Sequence, residues 1–130
     1  MALLSFKKRD PAPTPAATAA FLEGFSIEVM PRTAAKVADF HALLPDATRV
    51  TIAHIAGTPI DDMVATAKRL ARAGYEVMPH FPARNIPDTA TLKDWIARYQ
   101  GEAGVREALL LAGGEAQPAG ALHSSMQLLE

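Results

Sequence analysis

Four short apolar runs recur along the chain, and between them the apolar spacing changes from a period of two to one of three and four. The runs are residues 25–30 (FSIEVM), 49–55 (RVTIAHI), 75–81 (YEVMPHF) and 106–113 (REALLLAG). Each is bounded by Gly, Pro or polar residues, the pattern of a buried β-strand. Thr33 ahead of residues 34–44, with Val37, Phe40 and Leu44 on one side, predicts a capped helix. Thr58-Pro59 predicts an N-cap and a first-turn proline, and Asp61 and Asp62 suit the positive end of the helix dipole. That helix turns Ile60, Met63, Val64, Ala67 and Leu70 inward and stops at Gly74. A third, from Asp88 to Tyr99, aligns Leu92, Trp95, Ile96 and Tyr99. Ser124 or Ser125 is placed to cap a fourth, short helix.

This alternation predicts an α/β fold of consecutive βα units, with parallel strands joined by right-handed crossovers. A (β/α)8 barrel takes roughly 250 residues. Four units in 130 residues therefore read as the first half of a TIM-type barrel. On this reading residues 21–130 form a partial barrel domain, incomplete at its C-terminal end. Residues 1–20 read as a flexible N-terminal segment, because RDPAPTPAATAA (9–20) has no periodic apolar face.

Composition narrows the class. With 49% hydrophobic and 21% charged residues the chain is globular rather than disordered. Lys and Arg number 13 against 14 Asp and Glu, a net charge of −1. That balance lacks the basic excess of a nucleic-acid binder. The absence of cysteine excludes a disulfide scaffold, a cysteine nucleophile and a thiolate metal site. No apolar run approaches the roughly 20 residues that cross a bilayer. The start, MALLSFKKRD, puts its basic residues after a short apolar stretch, the reverse of a secretory signal. The expected compartment is the cytoplasm, with neither membrane nor nucleic acid as partner.

In parallel α/β folds the chemistry gathers at the carboxyl ends of the strands. Glu28 lies near the end of the first run and shares a strand face with Ser26 and Met30. Inside a closed barrel it would be partly desolvated, which raises a carboxyl pKa and suits a general acid or proton relay. The plainer alternative is an ion pair with Arg32 or Arg49. His54 ends the second run, and His80 ends the third in Pro79-His80-Phe81-Pro82, with Arg84 just beyond. His80 could donate to a phosphate or a flavin ring, or bond a neighbouring carbonyl. The fourth run leads into Ala112-Gly113-Gly114-Glu115, where the glycines allow either a close ligand approach or a tight turn. His41 and His123 read as surface residues, and Trp95 as core.

Taken in order, these strand ends resemble the methylenetetrahydrofolate reductase family, flavin-dependent barrel enzymes of one-carbon metabolism. The family's first strand reads Phe-Glu-Phe-Phe-Pro-Pro-Lys/Arg-Thr, and this chain has Ile27-Glu28-Val29-Met30-Pro31-Arg32-Thr33. Its third strand ends in Pro-His-Leu-Thr, against Pro79-His80-Phe81-Pro82. Its fourth reads Ala-Leu-Arg-Gly-Asp, against Leu110-Leu111-Ala112-Gly113-Gly114. The resemblance spans residues 25–130, the N-terminal half of a family member. It implies an FAD-bound barrel that reduces methylenetetrahydrofolate to methyltetrahydrofolate with a nicotinamide donor; a homo-oligomer is the expected assembly. By that resemblance Glu28 is the acid that assists opening of the folate's bridging ring. His80 contacts the flavin, Ala112, Gly113 and Gly114 lie along it, and Glu28 and Glu115 meet the folate. The chain departs from the family in having one proline for two, Ala112 for the family's Arg, Gly114 for its Asp, and Ala53-His54 for its Thr-Tyr. Glu115 takes the Asp's place only with a one-residue shift.

Two other classes compete. One is a non-catalytic half-barrel that binds a folate or a partner chain, its open sheet edges covered by a second copy. The other is a metal-dependent hydrolase using Glu28, His54 and His80 as a two-His, one-carboxylate set, which requires all three to face one cavity.

Overall fold

The computed structural model describes Ala12 and residues 14–130. Its centre is one four-stranded sheet in the order β1-β2-β3-β4, with β1 Ser26–Val29, β2 Arg49–Ile52, β3 Glu76–Pro82 and β4 Leu109–Leu111. Every neighbouring pair is parallel. The order along the sheet is the order along the chain, so successive crossovers of one hand stack their helices on a single face.

That face is the core. Val50, Ile52 and Phe81 are buried in one cluster with Met63, Val64, Ala67 and Leu70 of α3 (Ile60–Arg72 in the chain; α1 and α2 are Pro15–Phe21 and Pro31–Ala34). Leu92, Trp95 and Tyr99 of α4 (Thr89–Ala103) complete it. Asp88 caps α4 by accepting the Thr91 N–H at 2.7 Å, and Arg98 ties α4 to α3 through Asp61 at 2.7 Å. Ile96, expected inward, is 38% exposed at the margin of the stripe. The other face of the sheet carries Ser26, Glu28, Arg49 and Glu76, all exposed. A strand covered on one side only alternates in burial, as β1 and β2 do.

Local structure departs from expectation at four places. The helix over residues 34–44 does not form. Pro31 opens the single turn α2 instead, and Thr33 sits inside that turn, accepting from the Met30 N–H at 3.0 Å and donating to its carbonyl at 2.9 Å. Beyond it the chain runs through turns, with the Asp39 side chain accepting from the His41 N–H at 2.9 Å. The carbonyls of Ala34, Val37 and Ala38 accept from the Arg69 guanidinium of α3, Ala34 also accepting from the Val37 N–H at 3.1 Å. Arg69 also lies 5.2 Å over the Phe40 ring. Phe40 is buried and Val37 and Leu44 are half-buried, so the apolar residues still face inward without a helix.

At α3 the cap is Pro59 rather than Thr58, one residue later than the dipeptide suggests. The C-terminal helix is a 3-10 turn, Ser125–Leu129, with Ser124 as its cap. The expected N-terminal segment lies partly outside the described residues. Within them Pro15–Phe21 forms α1, capped by Thr14 accepting from the Ala17 N–H at 3.2 Å, with no residue buried. Its signal was the Thr-Pro start, not an apolar face.

Arg69→Ala should destabilise the protein by roughly 2 kcal/mol, because the Val37 and Ala38 carbonyls lose their donor and Ala34 loses one of two. Urea unfolding reads this as a lower midpoint at unchanged slope. A midpoint within error of the parent would mean that water satisfies those carbonyls equally well.

Candidate functional site

The site candidates lie where the sheet's uncovered face meets the carboxyl ends of β1 and β3. Register pairs Glu28 with Thr51 and Thr51 with Met78. His80, two residues beyond Met78, points to the same side as Glu28. Between them β2 continues to Ala53, whose N–H donates to the Val29 carbonyl at 2.8 Å. A methyl group at that position leaves room for the two longer side chains to meet over it. His80 Nε2 lies 3.2 Å from Glu28 Oε2. The approach is off-line, so the nitrogen is in contact with the carboxylate without an aligned hydrogen bond.

The two partners differ in setting. The His80 side chain is 9% exposed and that of Glu28 58%. The desolvation expected for Glu28 is therefore absent, because four strands with helices on one side leave this face open. His80 is held below the ordinary histidine pKa of 6.5 by burial, a shift that the neighbouring Glu28 carboxylate opposes. Neither arginine named as an alternative partner engages Glu28 among the described ion pairs. Arg49 instead bridges Glu76 at 3.3 Å and Glu107 at 3.4 Å, toward the other end of the strands.

His54 takes the opposite side. It follows Ile52 in the alternation and packs on Trp95 with ring centres 4.6 Å apart. Its Nε2 lies 3.2 Å from the Thr58 carbonyl. Burial lowers its pKa, the Thr58 hydrogen bond works against that, and His80 adds to it. Glu28, His54 and His80 thus do not converge, and no group of three metal-ligating side chains occurs among the described residues.

The loop after β4 is organised by Arg84, two residues beyond the end of β3. Its backbone N–H donates to the Ala112 carbonyl at 2.9 Å, and its guanidinium donates to the carbonyls of Glu115 at 3.0 Å and His123 at 3.2 Å. Gly113 has φ 94°, and a Cβ there would lie 3.3 Å from the Pro82 side chain. Its glycine is explained by a strained turn packed against β3. Gly114 has open space around it, and the side chain of Glu115 is exposed. Gly120 escaped notice in the sequence because nothing marks it. A Cβ there would lie 1.7 Å from the Pro87 carbonyl oxygen, so the returning chain passes against the start of α4.

No protein-family model matches the chain.

Both buried imidazoles take up protons more readily in the unfolded chain than in the folded one. The stability tied to this is present above pH 6.5 and is lost as pH falls below it. The urea midpoint should be flat from pH 8 to 7 and fall between pH 6.5 and 5.5, with a shallower fall in His54→Gln. An equal slope in both proteins would remove His54 from the account.

Proposed function

We propose that this chain is a methylenetetrahydrofolate reductase-like flavoprotein segment of one-carbon metabolism, carrying the first four βα units of a (β/α)8 barrel. The observation that carries the reading is the meeting of Glu28 and His80 on the open face at the carboxyl ends of β1 and β3. These are two of the six residues that the resemblance singles out, and they come from different units of the fold. A parallel sheet with sequential strand order supports the barrel type.

The residues fit one edge of a flavin in part. Gly114 leaves free space beside the strand ends, and the Glu28 carboxyl group stands exposed on the same open face. Ala112 and Gly113 are committed to Arg84 and β3, so they shape the loop rather than reach out from it. When bound, FAD supplies hydride transfer from a nicotinamide donor to the folate. Glu28 then serves as the proton donor to the folate nitrogen that leaves as the bridging ring opens. A ligand seated over the open face removes Glu28 from water, and desolvation favours the neutral acid that this step needs. In this reading Glu115, exposed beside Gly114, is the second residue that meets the folate.

A second reading, a non-catalytic half-barrel that binds a folate or a partner chain, draws on the position of β1 and β4 at the two edges of the sheet. Gel filtration of the chain with excess FAD separates the readings. Flavin co-eluting with protein is the expected result; flavin left behind a dimer peak would favour the binding module. Gly114→Leu should abolish co-elution while leaving the urea midpoint in place, whereas Gly113→Ala should destabilise the protein by about 1 kcal/mol through its positive φ, seen as a lower midpoint. Where this segment is part of a complete barrel, Glu28→Gln should lower turnover by roughly 100-fold or more with flavin retained. Equal loss of turnover and flavin would overturn the role of Glu28.

A further inference from the structure

The resemblance assigns His80 to the flavin, yet its Nε2 lies 3.2 Å from the Glu28 carboxylate. We propose that His80 is a positioning residue for Glu28, a buried ring that fixes where the exposed carboxyl group sits over the open face. The proposal rests on the reading of Glu28 as the acid of the site and deepens it.

The asymmetry of the pair argues for this direction of control. Glu28 stands on an edge strand with its side chain 58% exposed, and a free glutamate samples many rotamers. His80 stands on the inner strand β3. Pro79 before it pairs with Ile52 of β2, and His80 itself pairs with Leu109 of β4. A ring fixed by sheet pairing on both sides and 9% exposed has little freedom of its own. The carboxylate is the mobile member and the imidazole the anchor. Ala53, buried beneath them, keeps the path between the two strands clear.

Protonation fits the same assignment. Burial keeps His80 neutral at neutral pH. A neutral imidazole with its proton on Nε2 turns the positive end of its N–H dipole toward the carboxylate, an attraction that acts at 3.2 Å without an aligned hydrogen bond. The other groups facing the ring do not compete. β4 contributes Leu109 and Leu111, His54 lies on the helix side against Trp95, and Arg49 is held by Glu76 and Glu107.

The test is nitrogen-detected NMR of the His80 ring in the flavin-free 130-residue chain, so it does not depend on whether FAD binds. The parent protein should show a single tautomer protonated at Nε2. Glu28→Ala should lose that preference. Glu28→Gln, which keeps an acceptor but removes the charge, should keep the tautomer and move the His80 titration to lower pH. Unchanged tautomer and titration in both variants would overturn the proposal. In the presence of FAD, His80→Gln should retain co-eluting flavin, because the ring acts through Glu28. Loss of flavin from His80→Gln with the fold intact would return His80 to the cofactor and also overturn it. Failure of the parent chain to bind FAD at all would count against the flavoprotein reading alone, leaving the ring spectra to decide this one.

Discussion

Everything at the candidate site follows from the helices covering only one face of the sheet. Four parallel strands in chain order bring each crossover back on the same side. Their apolar alternate residues are buried there against α3 and α4. The opposite residues of the same strands are then free to be polar. Glu28, Thr51 and His80 face outward because Ile27, Ile52 and Phe81 face inward, so core and site are two outcomes of one alternation.

The polar face is graded along its length. Toward the amino ends of the strands Arg49 joins Glu76 and Glu107 in a charge cluster that links β2 to β3 and the approach to β4. These exposed pairs contribute little stability individually. Toward the carboxyl ends the charges thin to Glu28 and a neutral, buried His80. The chemically adaptable pair thus sits apart from the fixed ion pairs and beside the loop that Arg84 holds. Two arginines perform comparable tasks on opposite flanks. Arg69 gathers the carbonyls of the chain after α2, and Arg84 those of the chain after β4. In both places a planar fork of donors replaces a helix or strand that the local sequence does not form.

The strands, α3 and α4 were legible because their apolar periodicity is local and each residue's neighbours are a few positions away. Residues 34–44 keep helical spacing at Val37, Phe40 and Leu44, yet the chain there forms separate turns, and the Ala34, Val37 and Ala38 carbonyls reach Arg69, far along the chain. His54 was equally visible in the sequence as His80. Only its parity after Ile52 separates them, and parity becomes decisive once the covered face is known. The role of Gly113 was ambiguous between a ligand cradle and a tight turn, and its positive φ against Pro82 favours the turn.

By itself the sequence determined the class of fold, because strand and helix periods and their alternation are properties of short segments. It also singled out Glu28 and His80 as strand-end residues with chemistry to offer. Tertiary structure alone decided that these two meet and that His54 does not join them. It also decided that Glu28 remains in water and that Arg84 and Gly120 shape the loops around the site. Those outcomes depend on which strands are neighbours, on their register and on which face the helices cover. Such distances between remote residues arise only when the sheet is assembled.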